Sequence, residues 1–520
     1  MNLVRGSALL LACLTRMTVA AAQPATAAQE LLQGHLAQAA ALAPSANQPG
    51  LTTALHSLQV DMLAKRQAWS ETLEKNDDME ALLTGTALHT LEKAKRVATD
   101  TATVQIVLQK GASLPLVLAL AALRNAEVKN AYHNWRATLQ HFEQAAYLEE
   151  LVAQYRSFVR ELELQVGPQS HKEMLAKTFP FPSVLALKGQ AIDLEAAIAR
   201  LGYQQTLRKA INDAARTFFD IQFATQAITI LTANRDLVAQ MEMIARAQLQ
   251  VGRAKQVDAV KTQSLLAMLD NKILTYERQQ LNAAAQANAL LALPPHTPWR
   301  VESEATLYDH TLSINETLQQ VRTENQELQK AARDAELMLT MVRMAETMLY
   351  PRASMGGSQI APSIGAEAGP TRKDMAAFPT RLAVSNEAAS FGANAAYIDE
   401  LRIRVKQAQA LLDDTTARTA FLAQDAHYRV DVSRRDTKTL AGIVVPKAQQ
   451  AFDAMREQYA AGSVPFNDFF EVSRAHLEAV FMLAEARRDL HKALTDLQDA
   501  TGRTASRLLV ALPTKGGVSP

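Results

Sequence analysis

The most promising chemistry in this sequence is a pair of carboxylates, Asp468 and Glu471, on the C-terminal side of Gly462. On a helix, i,i+3 spacing puts two side chains on one face. Two carboxylates held there attract cations; the same spacing also makes an ordinary solvated helix face. Asp258 stands at the same offset from Gly252 as Asp468 does from Gly462, so the feature occurs twice. Other chemistries lack their residues. The 11 histidines include no i,i+4 pair and there is 1 cysteine, which leaves no zinc-type ligand set. No Gly-x-Ser-x-Gly elbow, P-loop or Gly-x-Gly-x-x-Gly turn occurs. These absences lead us to expect no enzyme, no metal and no cofactor. A net charge of +1, with acidic and basic residues interspersed, gives nucleic acid no footing.

The elements that must position these carboxylates are helices. The chain has 520 residues, 19 glycines and 18 prolines, and only 5% aromatics. Ala-, Leu- and Gln-rich sequence of this kind favours long helices, because those residues lose little side-chain freedom in one. From Ser183 to Leu293 there is no proline. An interior proline would cost about 3 kcal/mol of helix, so its absence predicts a helix from Ile192 to Gln250, a turn at Gly252 and a return to Leu291. The first of these would be about 90 Å long and could not bury itself alone; it needs lengthwise partners.

That unit is written twice. Asn125-Ala-Glu127-Val128 recurs as Asn325-Gln-Glu327-Leu328, and Gln250-Val251-Gly252 recurs as Ala460-Ala461-Gly462. Leu290-Leu291-Ala292 maps onto Ala500-Thr501-Gly502 in the same register. A period of about 200 residues is far beyond the 20–50 of solenoids and indicates a two-fold duplication. The expected divisions are a leader over 1–22, a partly helical extension over 23–113, repeat one over 114–299, repeat two over 300–503 and a disordered tail over 504–520. Within repeat one, Leu116 to Val166 reads as one helical segment after a boundary at Gly111 and Pro115. In repeat two the first helix runs from near Leu312 to Tyr350-Pro351, and helix resumes near Phe391. Pro446 reads as a kink, and Pro465 as the start of the final helix.

The N-terminus reads as an export signal, with Arg5 followed by the apolar run Ala8 to Ala12. Two endings fit. Leu10-Leu11-Ala12-Cys13 has the form of a lipoprotein box with Cys13 lipidated, and Ala20-Ala21-Ala22 has the form of an ordinary cleavage site. No run of about 18 uninterrupted apolar residues occurs, so a transmembrane helix is not expected.

Taken in order, the two repeat cores, the turns at Gly252 and Gly462, Thr178-Phe-Pro-Phe-Pro182 and Phe391-Gly-Ala-Asn-Ala-Ala-Tyr397 resemble the outer-membrane efflux protein family, the TolC-like channels of tripartite systems. The resemblance implies a mainly α fold: two repeats of very long antiparallel helices forming a coiled-coil α-barrel as a homotrimer. It implies a passive conduit at the outer membrane and periplasm of a Gram-negative bacterium, working with a periplasmic adaptor and an inner-membrane pump. The adaptor would dock at two tips, Val251, Gly252 and Arg253 in one and Ala461, Gly462 and Ser463 in the other. Asp468, Glu471 and Asp258 would line the pore, and Tyr459 would match a gate tyrosine. Val464 departs from the basic residue the family carries there. The β-barrel would come from Gly167 to Lys188 and from Arg352 to Ser390. Neither stretch alternates as membrane strands do, so that portion is expected to be small or degenerate. A non-conducting periplasmic scaffold derived from such channels is the alternative.

Overall fold

The computed structural model describes residues 51–144, 181–250, 256–301, 313–354, 388–461 and 463–509. An N-terminal group of short helices comprises α1 (Leu51–Lys75), α2 (Asp77–Leu82), α3 (Gly85–Ala98), α4 (Thr101–Lys110), α5 (Leu114–Arg124), α6 (Ala126–Leu139) and α7 (His141–Gln144). The first long pair is α8 (Phe181–Gln250) and α9 (Gln256–Leu290). The second copy supplies α10 (Ile314–Glu324), α11 (Gln326–Ser354), α12 (Ala388–Thr439), α13 (Val445–Ala460) and α14 (Phe466–Ala500). β structure among the described residues is limited to isolated bridges, such as the parallel pairing of Ala112 with Val301. None of the described helices is long and apolar enough to cross a membrane.

α8 has 70 residues, which at 1.5 Å per residue is about 105 Å. It begins earlier than the sequence periodicity predicts, because Phe181-Pro182 opens it and proline is tolerated in a first turn. The last residues of the expected first membrane hairpin, 181–188, are therefore helical. Most of both expected barrel segments lies outside the described residues.

Two expected continuous helices are broken. Leu116 to Val166 is interrupted at Asn125, and the first helix of repeat two is interrupted at Asn325. Both asparagines have extended-type ψ angles of 129° and 115°. Asn125 Oδ1 accepts from the Val128 amide at 3.1 Å, so the side chain caps α6 and makes a new helix start preferable to continuation. Beyond that break, α11 passes the expected stop at Pro351 and ends at Ser354. A proline in a last turn forfeits a single i−4 bond. At Pro446 the expected disturbance is a π-helical turn over Leu440–Val444, which widens the backbone where the proline lacks its amide.

The chain forms two compact units. The first draws on Met1–Asn76, Tyr132–Tyr203 and Gln326–Arg418. Its aromatic centre is Trp135, stacked on Tyr203 at 5.8 Å and met edge-on by Trp69 at 6.4 Å. Trp69 Nε1 donates to Asp193 Oδ1 at 2.7 Å, and the Tyr203 hydroxyl to Asn76 Oδ1 at 3.0 Å. Gly189 leaves room for Met62, whose Cγ would lie 3.2 Å from an added Cβ, so α1 seats on α8. Ala191, Leu194 and Leu337 form one core cluster, and Val342, Ile398, Leu401 and Val405 another.

The second unit draws on Asp77–Ala131, Gln204–Asn325 and Thr419–Pro520. α5, apolar around its whole circumference, is buried along almost its entire length and packs on α3. The repeated sequence cores meet here. Asn125 Nδ2 donates to Leu290 O at 3.1 Å, and Asn325 Nδ2 to Ala500 O at 2.9 Å. Each asparagine thus holds the last carbonyls of the returning helix of its own copy. Those two helices end alike: Leu293 N donates to Asn288 O and Arg503 N to Gln498 O, both at 2.8 Å. The pattern is a Schellman motif, with the left-handed position at Ala292 (φ 49°) and Gly502 (φ 89°).

The chain beyond Gly502 is ordered through Leu509, which corrects the expected disorder of 504–509. Thr504 Oγ1 and Ser506 Oγ donate to Leu82 O at 2.5 and 2.9 Å, and Asn212 Oδ1 accepts from Ala505 N at 2.9 Å. Ala505 and Ser506 are fully buried. Short polar side chains here satisfy buried backbone groups, which composition alone reads as loop.

The two left-handed positions differ in what they tolerate. A Cβ at Gly502 would lie 2.4 Å from Glu324 O, so Gly502→Ala is expected to cost about 3 kcal/mol or more. Ala292 already carries the left-handed penalty, so Ala292→Gly should stabilise by up to about 1 kcal/mol. Urea unfolding midpoints of the two variants should move in opposite directions.

Candidate functional site

α13 and α14 pack antiparallel as a hairpin. Tyr459 and Phe452 lie seven residues apart on α13, and Phe469 and His476 seven apart on α14, so all four fall on facing stripes. Their rings interleave. Tyr459 stacks on Phe469 at 4.8 Å and 11°, Phe469 on Phe452 at 6.1 Å and 23°, and Phe452 on His476 at 5.2 Å and 18°. Met241, Leu237 and Leu265 from α8 and α9 close over this ladder. Ser463 ends α13, its amide donating to Gln458 O at 3.0 Å and its hydroxyl at 2.9 Å.

The candidate carboxylates lie on the outside of the same hairpin. Asp468 is exposed in the first turn of α14, where the helix dipole favours negative charge. Glu471 is exposed and meets Arg474 at 3.1 Å. Tyr459 is placed apart from them: its ring belongs to the interleaved stack rather than to the acidic face. Ala461 caps α13 and is exposed. Asp258 lies on α9, within its first turn, and its side chain is outside the described residues, as are Val251, Gly252, Arg253, Gly462 and Cys13. Lys261 Nζ donates to Asn467 Oδ1 at 2.8 Å and ties α9 to the start of α14.

A second charged region was not singled out by motif. Arg216 on α8 donates through Nε to Asp496 Oδ1 and through Nη2 to Asp499 Oδ2, both at 2.8 Å, and through Nη1 to Asp213 at 2.7 Å. Burial alone would lower its pKa, but the Asp499 and Asp496 carboxylates more than offset this and hold the guanidinium charged. Arg208 reaches Asp499 at 3.1 Å, Arg429 reaches Asp496 at 3.3 Å, and Lys492 grips both oxygens of Asp220 at 2.9 Å. These pairs fasten α8 and α12 to α14. The only sequence signal was Asp496 and Asp499 at i,i+3, which reads as a solvated face until the opposing helix is known. Among the described residues no group of His, Cys, Asp or Glu is arranged to hold a metal.

No family model matches the chain and no curated protein matches it. Solved structures do. The outer-membrane channel OprN aligns with a TM-score of 0.55 at 12% identity, over 76% of this chain and 90% of its own. CusC, whose structures concern conformational changes accompanying folding and transmembrane channel formation, aligns at 0.52 and 12% identity over 75% and 92%. The Campylobacter jejuni outer-membrane channel CmeC aligns at 0.52 and 11% over 75% and 85%. The chain has the outer-membrane channel fold. The duplicated long helices expected from the sequence are those of this fold, and the chain spans most of each channel's length.

One buried group in this fold gives a pH dependence. His491 on α14 lies 4.7 Å from the Phe219 ring and is 8% exposed. Burial, with a smaller contribution from the Arg487 charge, lowers its pKa to about 4. An unfolded histidine titrates at about 6.5, so between the two values the unfolded chain binds a proton that the folded chain refuses. Stability should therefore fall as pH drops from about 6.5 to 4, by up to about 3 kcal/mol from this group. His491→Leu should flatten that part of the curve of unfolding free energy against pH. An unchanged slope in the variant would assign the acid sensitivity elsewhere.

Proposed function

We propose that this protein is a homotrimeric outer-membrane channel component of an export system. It acts as a passive conduit and docks by its helix turns to a periplasmic adaptor served by an inner-membrane pump. The observation that carries the reading is the channel fold over most of the length of OprN, CusC and CmeC. A second supports it. α9 carries an exposed apolar stripe, Val257, Val260, Met268, Leu274 and Leu281, with Leu274 and Leu281 58% and 60% exposed. Leu274 and Leu281 stand seven residues apart, the spacing of a coiled-coil seam, and a second copy would bury them.

In this reading Asp468 and Glu471 from three copies form acidic rings at the entrance and select for cations, with Asp258 in the matching place of the first repeat. Val251 to Arg253 and Ala461 to Ser463 are the docking tips. The N-terminus is removed on export, with lipidated Cys13 or a cleavage site at Ala22 as its end, which places the protein at the outer membrane and periplasm. The non-conducting scaffold is favoured by one observation: helix over 181–188 occupies the end of the segment from which the first membrane hairpin would come.

Planar-bilayer recording of the detergent-purified trimer tests the conduit. Cation-selective steps are expected, and Asp468→Ala with Glu471→Ala should reduce that selectivity several-fold without abolishing conductance. Trimers that never conduct would replace the conduit with the scaffold.

A further inference from the structure

The interleaved rings between α13 and α14 end on a titratable member. His476 is half-buried against Phe452, and its Nδ1 is shielded from solvent with no hydrogen-bond partner among the described residues. A neutral imidazole stacks there as a flat aromatic ring. An imidazolium must place its second N–H and its charge in a space that offers Nδ1 no acceptor, and a buried charge without a partner is strongly disfavoured. We propose that His476 is a proton-sensitive bolt on the α13–α14 hairpin: neutral, it completes the ring ladder, and protonated, it releases the ladder and loosens this end of the hairpin.

The surrounding charges leave His476 as the member that responds. Across the hairpin on α13, Asp453 acts on the imidazole and favours the proton, while burial acts first and more strongly against it. Also on α13, Arg456 covers the Phe452 ring at 5.7 Å. On α14 itself, Arg474 is engaged by Glu471 and Glu478 is exposed. On α8, Glu242 is held by Arg246 and by Gln263. On α9, Lys261 is held by Asn467. The other rings of the ladder are Phe452, Phe469 and Tyr459.

The direction of the response follows from linkage. A histidine released to water titrates at about 6.5, so acid favours the loosened hairpin from that pH downward. Tyr459 lies at the turn end of the ladder, next to the Ala461 and Ser463 cap, and His476 at the inner end. Losing the inner ring contact removes the support of Phe452 and Phe469 in turn. The device itself depends only on the hairpin geometry; its consequence for passage of substrates rests on the conduit reading.

Hydrogen exchange of the full-length trimer, followed by mass spectrometry and corrected for the intrinsic pH dependence of exchange, reads the device directly. Peptides covering 445–459 and 469–480 should exchange several-fold faster at pH 5.5 than at pH 7.5, while α5 peptides stay unchanged. His476→Phe, which keeps a stacked ring without a titrating nitrogen, should remove the acid response in both peptides. Asp453→Asn, which removes the charge favouring protonation in the closed ladder, should enlarge it. Equal exchange at both pH values in the wild type, or an acid response that survives in His476→Phe, would overturn the proposal. Bilayer conductance recorded over the same pH range separates the two readings: exchange that responds in trimers that never conduct keeps the bolt and removes the conduit.

Discussion

Long helices transfer their problem to their ends. A helix end leaves orphan carbonyls, and a free end of a long rod has nothing to fix its register against its neighbours. In the second unit both requirements are met by one side chain per repeat. Asn125 and Asn325 each stop an incoming helix and donate an amide to the last carbonyls of the returning helix, Leu290 O and Ala500 O. Start and finish of each copy are therefore tied together. A Schellman end on the partner helix completes it, and the left-handed residue that motif needs falls at Ala292 and Gly502.

This explains how much could be read from the sequence. The recurring Asn-x-Glu cores and the Leu-Leu-Ala and Ala-Thr-Gly endings were visible as text because each performs a local backbone task that only a few residue types can do. Most of the length of α8 was legible for a similar reason, since proline is absent from Ser183 onward and glycines are few; its start at Phe181 was not. The breaks at Asn125 and Asn325 were not legible as breaks. Asparagine is merely a weak helix former until its side chain finds a carbonyl to hold, and those carbonyls lie far along the chain. The order of Thr504 to Leu509 was hidden likewise, since its partners are Leu82 and Asn212.

The candidate site was legible in its charges and illegible in its interior. Asp468 and Glu471 share an exposed face as i,i+3 spacing requires. Tyr459, which the resemblance matched to a gate tyrosine, stacks inward on Phe469 at 4.8 Å. The seven-residue spacings of Phe452 with Tyr459 and of Phe469 with His476 were present in the sequence throughout. Two stripes become one ladder only when the antiparallel register of α13 and α14 is known, and that register depends on the turn between them.

The two copies diverge most where they are otherwise most alike, and the divergence has a physical sense. At the residue before each clamping asparagine, repeat one has Arg124 and repeat two has Glu324. Arg124 is buried and donates to Leu291 O and Ala292 O at 2.9 and 3.1 Å, and to Ala98 O at 2.6 Å. It thus neutralises the carbonyl end of α9 while drawing in the N-terminal helices. Glu324 cannot do this, since a carboxylate beside helix C-terminal carbonyls would be repelled. It instead takes the guanidinium of Arg503, which stands where repeat one has Leu293, and that pair holds the carboxyl below its ordinary pKa. The exchange of sign moves the cation from the incoming helix to the outgoing chain. Once Arg503 is anchored, the residues after it reach Leu82 and Asn212, whereas those after Leu293 bond to Asn288 and Leu108.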